Sequence, residues 1–348
     1  MENKNSTYPL VSIIIPIFNG LSNDLEACIQ SVKDQSYKNR EIVVIDDKSS
    51  DNSIEFIKQN LVNENYKLII HSENKGLSQS WNDGIRECLG DYALLLQQDC
   101  RLLNKNAILR GIEKLSLTKD VILTGAQKID YKKLNHYQKL LRLRINEIEE
   151  SPFSGKTVSI TENKCDLCSV EVLKRIGPFT TKLNQSGQDL IFSARAKSMN
   201  VLIQLDEDLA YSIKYEGENT FIKLIKKEYK YAKGNITIFR TFHKTGFTKI
   251  KTDKVNLGMN KIKSRAMNAI LPIPFFFLIM IYLLLSSLLF ALIIPLYVLV
   301  WILYYSLLIN NQNVLNKGLN LPLLKSSFIL IILDFVYLSG TILGLLIH

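Results

Sequence analysis

Polar residues suited to chemistry collect at the ends of short apolar runs. The first run closes in Pro16-Ile17-Phe18-Asn19-Gly20, and the second in Asp46-Asp47, leading to Ser49 and Asp51. A third closes in His71-Ser72-Glu73-Asn74-Lys75-Gly76 and a fourth in Gln97-Gln98-Asp99. Each group has an ordinary explanation when taken alone: Asp46 and Asp47 with Ser49 suit a helix cap, and Asn74-Lys75-Gly76 suits a turn. Four such groups at four successive strand ends instead describe converging carboxylates, amides and backbone, a site for a polar ligand. Further along, Gln188-Asp189 opens a helical pattern, where an acidic residue is favoured by the helix dipole by ~0.3–1 kcal/mol. Cys165 and Cys168 have metal-ligand spacing, but no second pair follows and the chain has four histidines, so small buried side chains are expected.

The elements that position these residues alternate in period. Strands are expected at Val11–Phe18, Glu41–Asp46, Lys67–His71, Tyr92–Gln97, Val121–Lys128 and Val201–Ile213. Helices are expected near Asp24–Gln35, Ser53–Asn60, Leu77–Cys88 and Lys105–Leu115, with Asn23 and Asp51 able to cap a first turn. This alternation is that of a doubly wound α/β sheet, whose chemistry gathers at the carboxyl ends of its strands. Residues 130–164 break the rhythm with a charged helical piece, Tyr137–Glu150, followed by Ser151-Pro152-Phe153-Ser154-Gly155. The run Leu10–Phe18 is short, interrupted by Pro16 and preceded by a polar leader, so it reads as a strand rather than a signal peptide.

The ordered segments VSIIIPIFNG, EIVVIDDKSSDNS, HSENKGLSQSWNDGI and GDYALLLQQD resemble family 2 inverting glycosyltransferases of the GT-A fold, over about residues 9–245. The resemblance implies a Rossmann-like nucleotide-diphospho-sugar transferase domain. It implies that Asp47 hydrogen-bonds the nucleotide base, that Pro16, Phe18 and Asn19 line the nucleotide pocket, and that Asn74, Gly76 and Asn82 pack beside the sugar nucleotide. An aspartate accepting two N–H donors suits a base edge, and glycine backbone can approach a diphosphate closely. The family's DxD metal motif aligns with Gln97-Gln98-Asp99, leaving Asp99 as the one carboxylate for a divalent cation, Mg²⁺ or Mn²⁺. The late histidine of many relatives is absent from Ala210-Tyr211-Ser212-Ile213-Lys214-Tyr215, where Lys214 could supply charge instead. The resemblance makes Asp189 the general base, with Gln188 in place of the usual Glu. Asp166 and Phe179 fall in the acceptor-side segment, Asp166 as a second-rank site residue.

The formal charge of +10 is unevenly distributed. Residues 1–213 are nearly neutral, 214–265 hold 14 Lys/Arg against 4 Asp/Glu, and 266–348 hold two against one. Leu271–Ile309 is 39 residues without a charge, about twice what one helix needs to cross a bilayer. Three spans are expected, 272–292, 293–308 and 326–347, with Pro295 near a reversal. Asp334 is the one charge in the last, either tolerated among helices or contacting a lipid head group. The basic stretch and Lys317/Lys325 place the large N-terminal part in the cytoplasm. Sequons at Asn5, Asn184 and Asn235 are then on the wrong side of the membrane, and the five cysteines are free thiols. Phe221–Gly234 reads as a basic amphipathic helix for the lipid interface, with Phe221, Leu224, Ile225, Glu228/Tyr229 and Ala232 on one face. Its Lys227–Tyr231 segment is a degenerate match to the QxxRW of processive synthases and argues against one. Nucleic-acid binding is not expected.

The expected organisation is a GT-A domain (1–215), a basic interfacial segment (216–269) and a transmembrane region (270–348). The expected activity is transfer of a sugar from a nucleoside-diphosphate sugar to a lipid-linked or glycan acceptor on the cytoplasmic face, with inversion. One alternative is a polyprenyl-phosphate glycosyl synthase. Another, of a different class, is an inactive sugar-nucleotide- or glycan-binding subunit, suggested by the amides Gln97 and Gln188.

Overall fold

A computed structural model describes residues 8–145, 157–158, 160–181, 188–214, 220–244, 272–285, 288–315 and 320–346. The chain divides into two compact units. Described residues of the first fall within Met1–Ile129, Glu150–Asn184 and Gln188–Lys214; those of the second fall within Asp130–Glu149 and Tyr215–His348.

The first unit is built on an eight-stranded sheet. Its strands are β1 (Val11–Ile17), β2 (Arg40–Asp46), β3 (Tyr66–Ile70), β4 (Tyr92–Leu96), β5 (Cys100–Leu102), β6 (Val121–Lys128), β7 (Cys165–Ser169) and β8 (Leu202–Ile213). They lie in the order β3-β2-β1-β4-β7-β6-β8-β5. The first four are parallel, with Ile17 opposite Asp46 and Asp46 opposite Ile70, so their carboxyl ends finish level at one edge. β7 is antiparallel to both neighbours, which makes the sheet mixed rather than wholly parallel. Two strands escape the sequence pattern. β5 is three residues long, and β7 (CDLCS) carries a charge at its second position, so neither shows the apolar run of a buried strand.

Helices cover both faces of the sheet. Ile13, Ile15 and Ile17 pack into a core with α1 (Leu25–Lys33), α2 (Ser53–Asn60) and α4 (Ala107–Ser116). Ile14 points the other way, into a core with α3 (Leu77–Glu87), α6 (Val170–Ile176) and α7 (Gln188–Ser198). Alternation along a strand therefore buries every residue of β1, as expected of a sheet covered on both sides. Gly84 lets α3 approach closely, since a Cβ there would lie 2.3 Å from Ile14 Cγ2. The same alternation sends Cys165 and Cys168 to opposite faces, so the pair shares no ligand sphere.

The second unit contains α5 (His136–Ile145), α8 (Phe221–Lys244), α9 (Pro272–Leu285), α10 (Leu288–Leu315) and α11 (Leu323–Leu346). Among described residues two stretches are long and apolar enough to cross a membrane, Ile293–Asn311 and Leu323–Ile342, while the apolar part of α9 is shorter. Pro295 does not mark a reversal; it lies inside α10. A proline within an apolar helix forfeits one backbone hydrogen bond, which neighbouring groups can re-satisfy. Asp334 is fully buried and accepts from Tyr305 Oη at 2.6 Å, tying α11 to α10. The apolar face of α8 also faces protein. Ala232 and Leu224 are fully buried, and Ala232 packs against Tyr337 and Leu338 of α11. Lys223, Lys226 and Lys230 are on the exposed side. Residues 215–219 and 245–265 of the basic stretch, with Lys317, Ser151–Gly155 and the sequons at Asn5 and Asn184, lie outside the described residues.

Candidate functional site

The level carboxyl ends of β1 to β4 enclose a cavity of about 360 Å³. β1 and its following loop contribute Pro16, Ile17, Phe18 and Asn23. Asp47 follows β2, Asn74 and Gly76 follow β3, and Gln97, Gln98 and Asp99 follow β4. Leu77 and Ser80 of α3 complete the wall. A larger hollow of about 460 Å³, between α1, α2 and β5, contains none of the strand-end residues.

Asp47 organises the loop after β3. It is buried, and its carboxylate accepts the backbone N–H of Lys75 at 2.7 Å and of Gly76 at 2.8 Å. Gly76 must be glycine here, because its φ of +84° with ψ 159° is disfavoured for any residue bearing a Cβ. His71, at the end of β3, sets Nδ1 2.8 Å from Asp47 Oδ1 and Nε2 3.0 Å from Asp83 Oδ2. Burial pushes the Asp83 carboxyl up, but hydrogen bonds from Gln79, Arg86 and His71, with the charge of Arg86, outweigh it and hold it below the ordinary range. Neither His71 nor Asp83 was assigned a role from sequence, although His71 lies in the strand-end segment that signals the site.

The loop after β1 is braced from two sides. Gln98 accepts the Phe18 N–H at 2.8 Å through Oε1 and donates from Nε2 to the Phe18 carbonyl at 3.1 Å. Asn19 accepts the Ser50 N–H at 2.8 Å, and its own N–H donates to Ser49 Oγ at 2.9 Å. Asp51 accepts the Ser53 N–H at 3.1 Å near the start of α2, while Ser53 Oγ accepts the Gly20 N–H at 2.8 Å. Gln97 donates to the Asn163 carbonyl at 3.2 Å. Of the Gln97-Gln98-Asp99 segment, Asp99 alone brings a carboxylate to the cavity. Burial raises its pKa above the ordinary value, against the opposing charge of Lys164.

The other expected site residues lie elsewhere. Asn19, Asn82, Asp166, Gln188 and Asp189 do not line this cavity. Asn82 donates to the Phe179 carbonyl at 2.9 Å and accepts its N–H at 2.7 Å, so it latches α3 to the segment after α6. Phe179 is 2% exposed and stacks on Phe192 with centroids 4.6 Å apart, which makes it a core residue rather than a pocket wall. Asp166 is buried in β7, where Thr161 and Asn163 donate to Oδ2. Burial outweighs those bonds and pushes its pKa up to about 6. Gln188 and Asp189 open α7, half-buried, and the Asp189 carbonyl accepts from Ser193 Oγ at 2.7 Å. Lys214 is exposed beyond the end of β8.

A mixed sheet of this order with helices on both faces, and polar loops gathered at the ends of its parallel strands, is a GT-A-like fold. Residues 12–177 match the model of Glycosyl transferase family 2, and the sheet domain belongs to that family. Glycosyltransferase AglE of Haloferax volcanii is 26% identical over 241 residues, covering 67% of this chain and 75% of that protein. Glycosyltransferase GlyG of Streptococcus pneumoniae is 35% identical over 91 residues, but these span 26% of this chain and 30% of GlyG. A solved structure of the mannosyltransferase PcManGT from Pyrobaculum calidifontis, in complex with GDP-Man and Mn²⁺, is similar in fold with a TM-score of 0.59. That likeness covers 98% of this chain and 88% of PcManGT at 15% identity.

Proposed function

We propose that the protein moves one sugar, with inversion, from a nucleoside-diphosphate sugar to a hydroxyl of a lipid-linked or glycan acceptor. The observation that carries this reading is the cavity at the strand ends. It joins an acceptor group for a base (Asp47), a glycine whose missing side chain leaves room for a diphosphate (Gly76) and a half-buried carboxylate (Asp99), bordering about 360 Å³. Family membership supports the nucleotide-sugar donor.

The donor set suits a hard cation held mainly by its substrate. No group of three His, Cys, Asp or Glu that could hold a metal occurs among the described residues, while Asp99 offers carboxylate oxygen at the cavity. Mg²⁺ and Mn²⁺ fit such a site, where one or two carboxylates are joined by substrate phosphates and water. A cation bound there would offset the charge of the departing nucleoside diphosphate. Asp47 orients the nucleotide through its base, and the Gln98–Phe18 bonds hold the wall beside it. Asp189 takes the proton from the attacking hydroxyl at its carboxylate, an effect worth about 10²–10⁴-fold in rate.

The membrane gives the acceptor its class. In our reading α10 and α11 cross the bilayer, and the excess of Lys and Arg in 214–265 keeps the sheet domain in the cytoplasm. An acceptor carried on a lipid is then delivered in the same leaflet.

The test is transfer from UDP-, GDP- and dTDP-sugars by detergent-solubilised full-length protein, with and without EDTA, followed by mass measurement of lipid products. Cation-dependent transfer from one donor supports the reading; binding of a donor with no turnover of any defeats it. Asp189→Asn should abolish transfer to a hydroxyl. Its full activity would favour a polyprenyl-phosphate acceptor, which is already ionised and needs no base.

A further inference from the structure

The Asp47 carboxylate has little acceptor capacity left for a ligand. An ionised carboxylate offers about four lone-pair positions. Oδ1 accepts the Lys75 N–H at 2.7 Å and faces His71 Nδ1 at 2.8 Å, and Oδ2 accepts the Gly76 N–H at 2.8 Å. Three positions are thus filled from within the chain, and about one remains, on Oδ2, for a group entering the cavity.

The His71 contact is held in place. The ring is 4% exposed, and its other nitrogen lies 3.0 Å from Asp83 Oδ2. Because an ionised carboxylate can only accept, the ring presents an N–H to Asp47. Asp83 is fixed in turn by Gln79 at 2.9 Å and by Arg86 at 2.7 Å. A rotation of His71 that freed Asp47 would break both contacts at once.

Nucleobases differ in how many donors they bring to such an edge. Uracil and thymine present a single N–H, at N3. Guanine presents two adjacent donors, N1–H and the N2 amino group, each needing its own lone pair. Adenine and cytosine set an amino group beside an unprotonated ring nitrogen, whose lone pair would face the carboxylate. One remaining acceptor position matches the first class.

We propose that His71, positioned by Asp83, limits Asp47 to one base donor and thereby selects a uridine- or thymidine-type donor nucleotide over a guanosine-type one. The assignment rests on the reading of this cavity as the donor site. His71 acts through Asp47 and is a positioning residue.

The experiment is calorimetric binding of UDP, dTDP, GDP, CDP and ADP to the full-length protein in detergent with Mg²⁺. UDP or dTDP should bind about tenfold or more tighter than GDP, since a well-placed base pair of hydrogen bonds discriminates by that order. His71→Asn keeps an N–H near the place of Nδ1 and should retain the preference. His71→Leu removes the donor and frees the second position of Oδ1, so the ratio of GDP to UDP affinity should rise severalfold toward equality. GDP, CDP or ADP binding as tightly as UDP and dTDP to the wild type overturns the proposal, as does a folded Leu variant with an unchanged ratio. If the Leu variant does not fold, the wild-type series and the Asn variant still decide. Sugar transfer from a GDP-sugar would overturn the base assignment and leave the glycosyltransferase reading standing; binding of none of the five would defeat both.

Discussion

Gln98 and Phe18 are joined by two hydrogen bonds, side-chain amide to main chain, at 2.8 and 3.1 Å across 80 residues of sequence. Each end of that amide meets a partner of opposite polarity: Oε1 accepts the Phe18 N–H and Nε2 donates to its carbonyl. A carboxylate could make the first bond but not the second, so the amide between Gln97 and Asp99 serves to shape the cavity wall.

Gln98→Glu should therefore harm this enzyme even though it moves the segment toward a more acidic motif. The new carboxylate would face the Phe18 carbonyl without a donor and forfeit the second bond, a net loss of about 0.5–1.5 kcal/mol at this partly exposed wall. The expected result is a higher KM for donor and a displaced or mobile Phe18. Donor titration measures the first, and an improved KM would contradict this account.

Asn82→Ala should destabilise the sheet domain by about 1–3 kcal/mol, because it strips partners from both the N–H and the carbonyl of the buried Phe179. Denaturant unfolding followed by the fluorescence of Trp81, which lies 6.3 Å from Phe179 between ring centroids, would report the loss. A change within a few tenths of a kcal/mol would show that water replaces the latch.

Asp166 should make stability fall as pH rises from about 4 to 6. Its folded pKa is raised to about 6 by burial, against hydrogen bonds from Thr124, Thr161 and Asn163. Between the unfolded and folded values the native state holds the proton that the unfolded chain has released, so stability declines through this window and levels above it. The decline amounts to about 3 kcal/mol, because each pH unit between the unfolded and folded values is worth about 1.36 kcal/mol. The difference in Tm between wild type and Asp166→Asn, measured at pH 4.5 and 7.5, should shift in favour of the variant at the higher pH. A difference independent of pH would count against a buried, titrating Asp166.

Gly340→Leu should loosen the second unit. A Cβ at Gly340 would lie 2.9 Å from Ala232 Cβ and 3.0 Å from the Tyr229 carbonyl, so a larger side chain forces α8 and α11 apart. Overpacking of this kind costs about 1–3 kcal/mol. The Tm of the solubilised protein should fall, with Gly340→Ala between the two; equal Tm values for all three would show that the helices adjust freely.

The sequence determined much of this protein unaided. Alternating apolar runs specify strands buried on both faces, and polar residues just beyond them mark the site edge, because period and punctuation are local properties of the chain. Pro16, Phe18, Asp47, Asn74, Gly76, Gln97, Gln98 and Asp99 are legible in that way and come together at one cavity. Tertiary structure alone decided what each does there. That Gln98 braces Phe18 and Asn82 latches Phe179 depends on pairings across 80 and 97 residues, which no window of sequence contains. The central strand β7 is equally hidden, since Asp166 is tolerated in the sheet through Thr161 and Asn163 as partners rather than through any strand pattern. The face of α8 shows the same limit. Helical spacing identifies an apolar stripe at Leu224 and Ala232, but hydrophobic burial is non-directional, and only the fold shows that Tyr337 and Leu338 of α11 cover part of it.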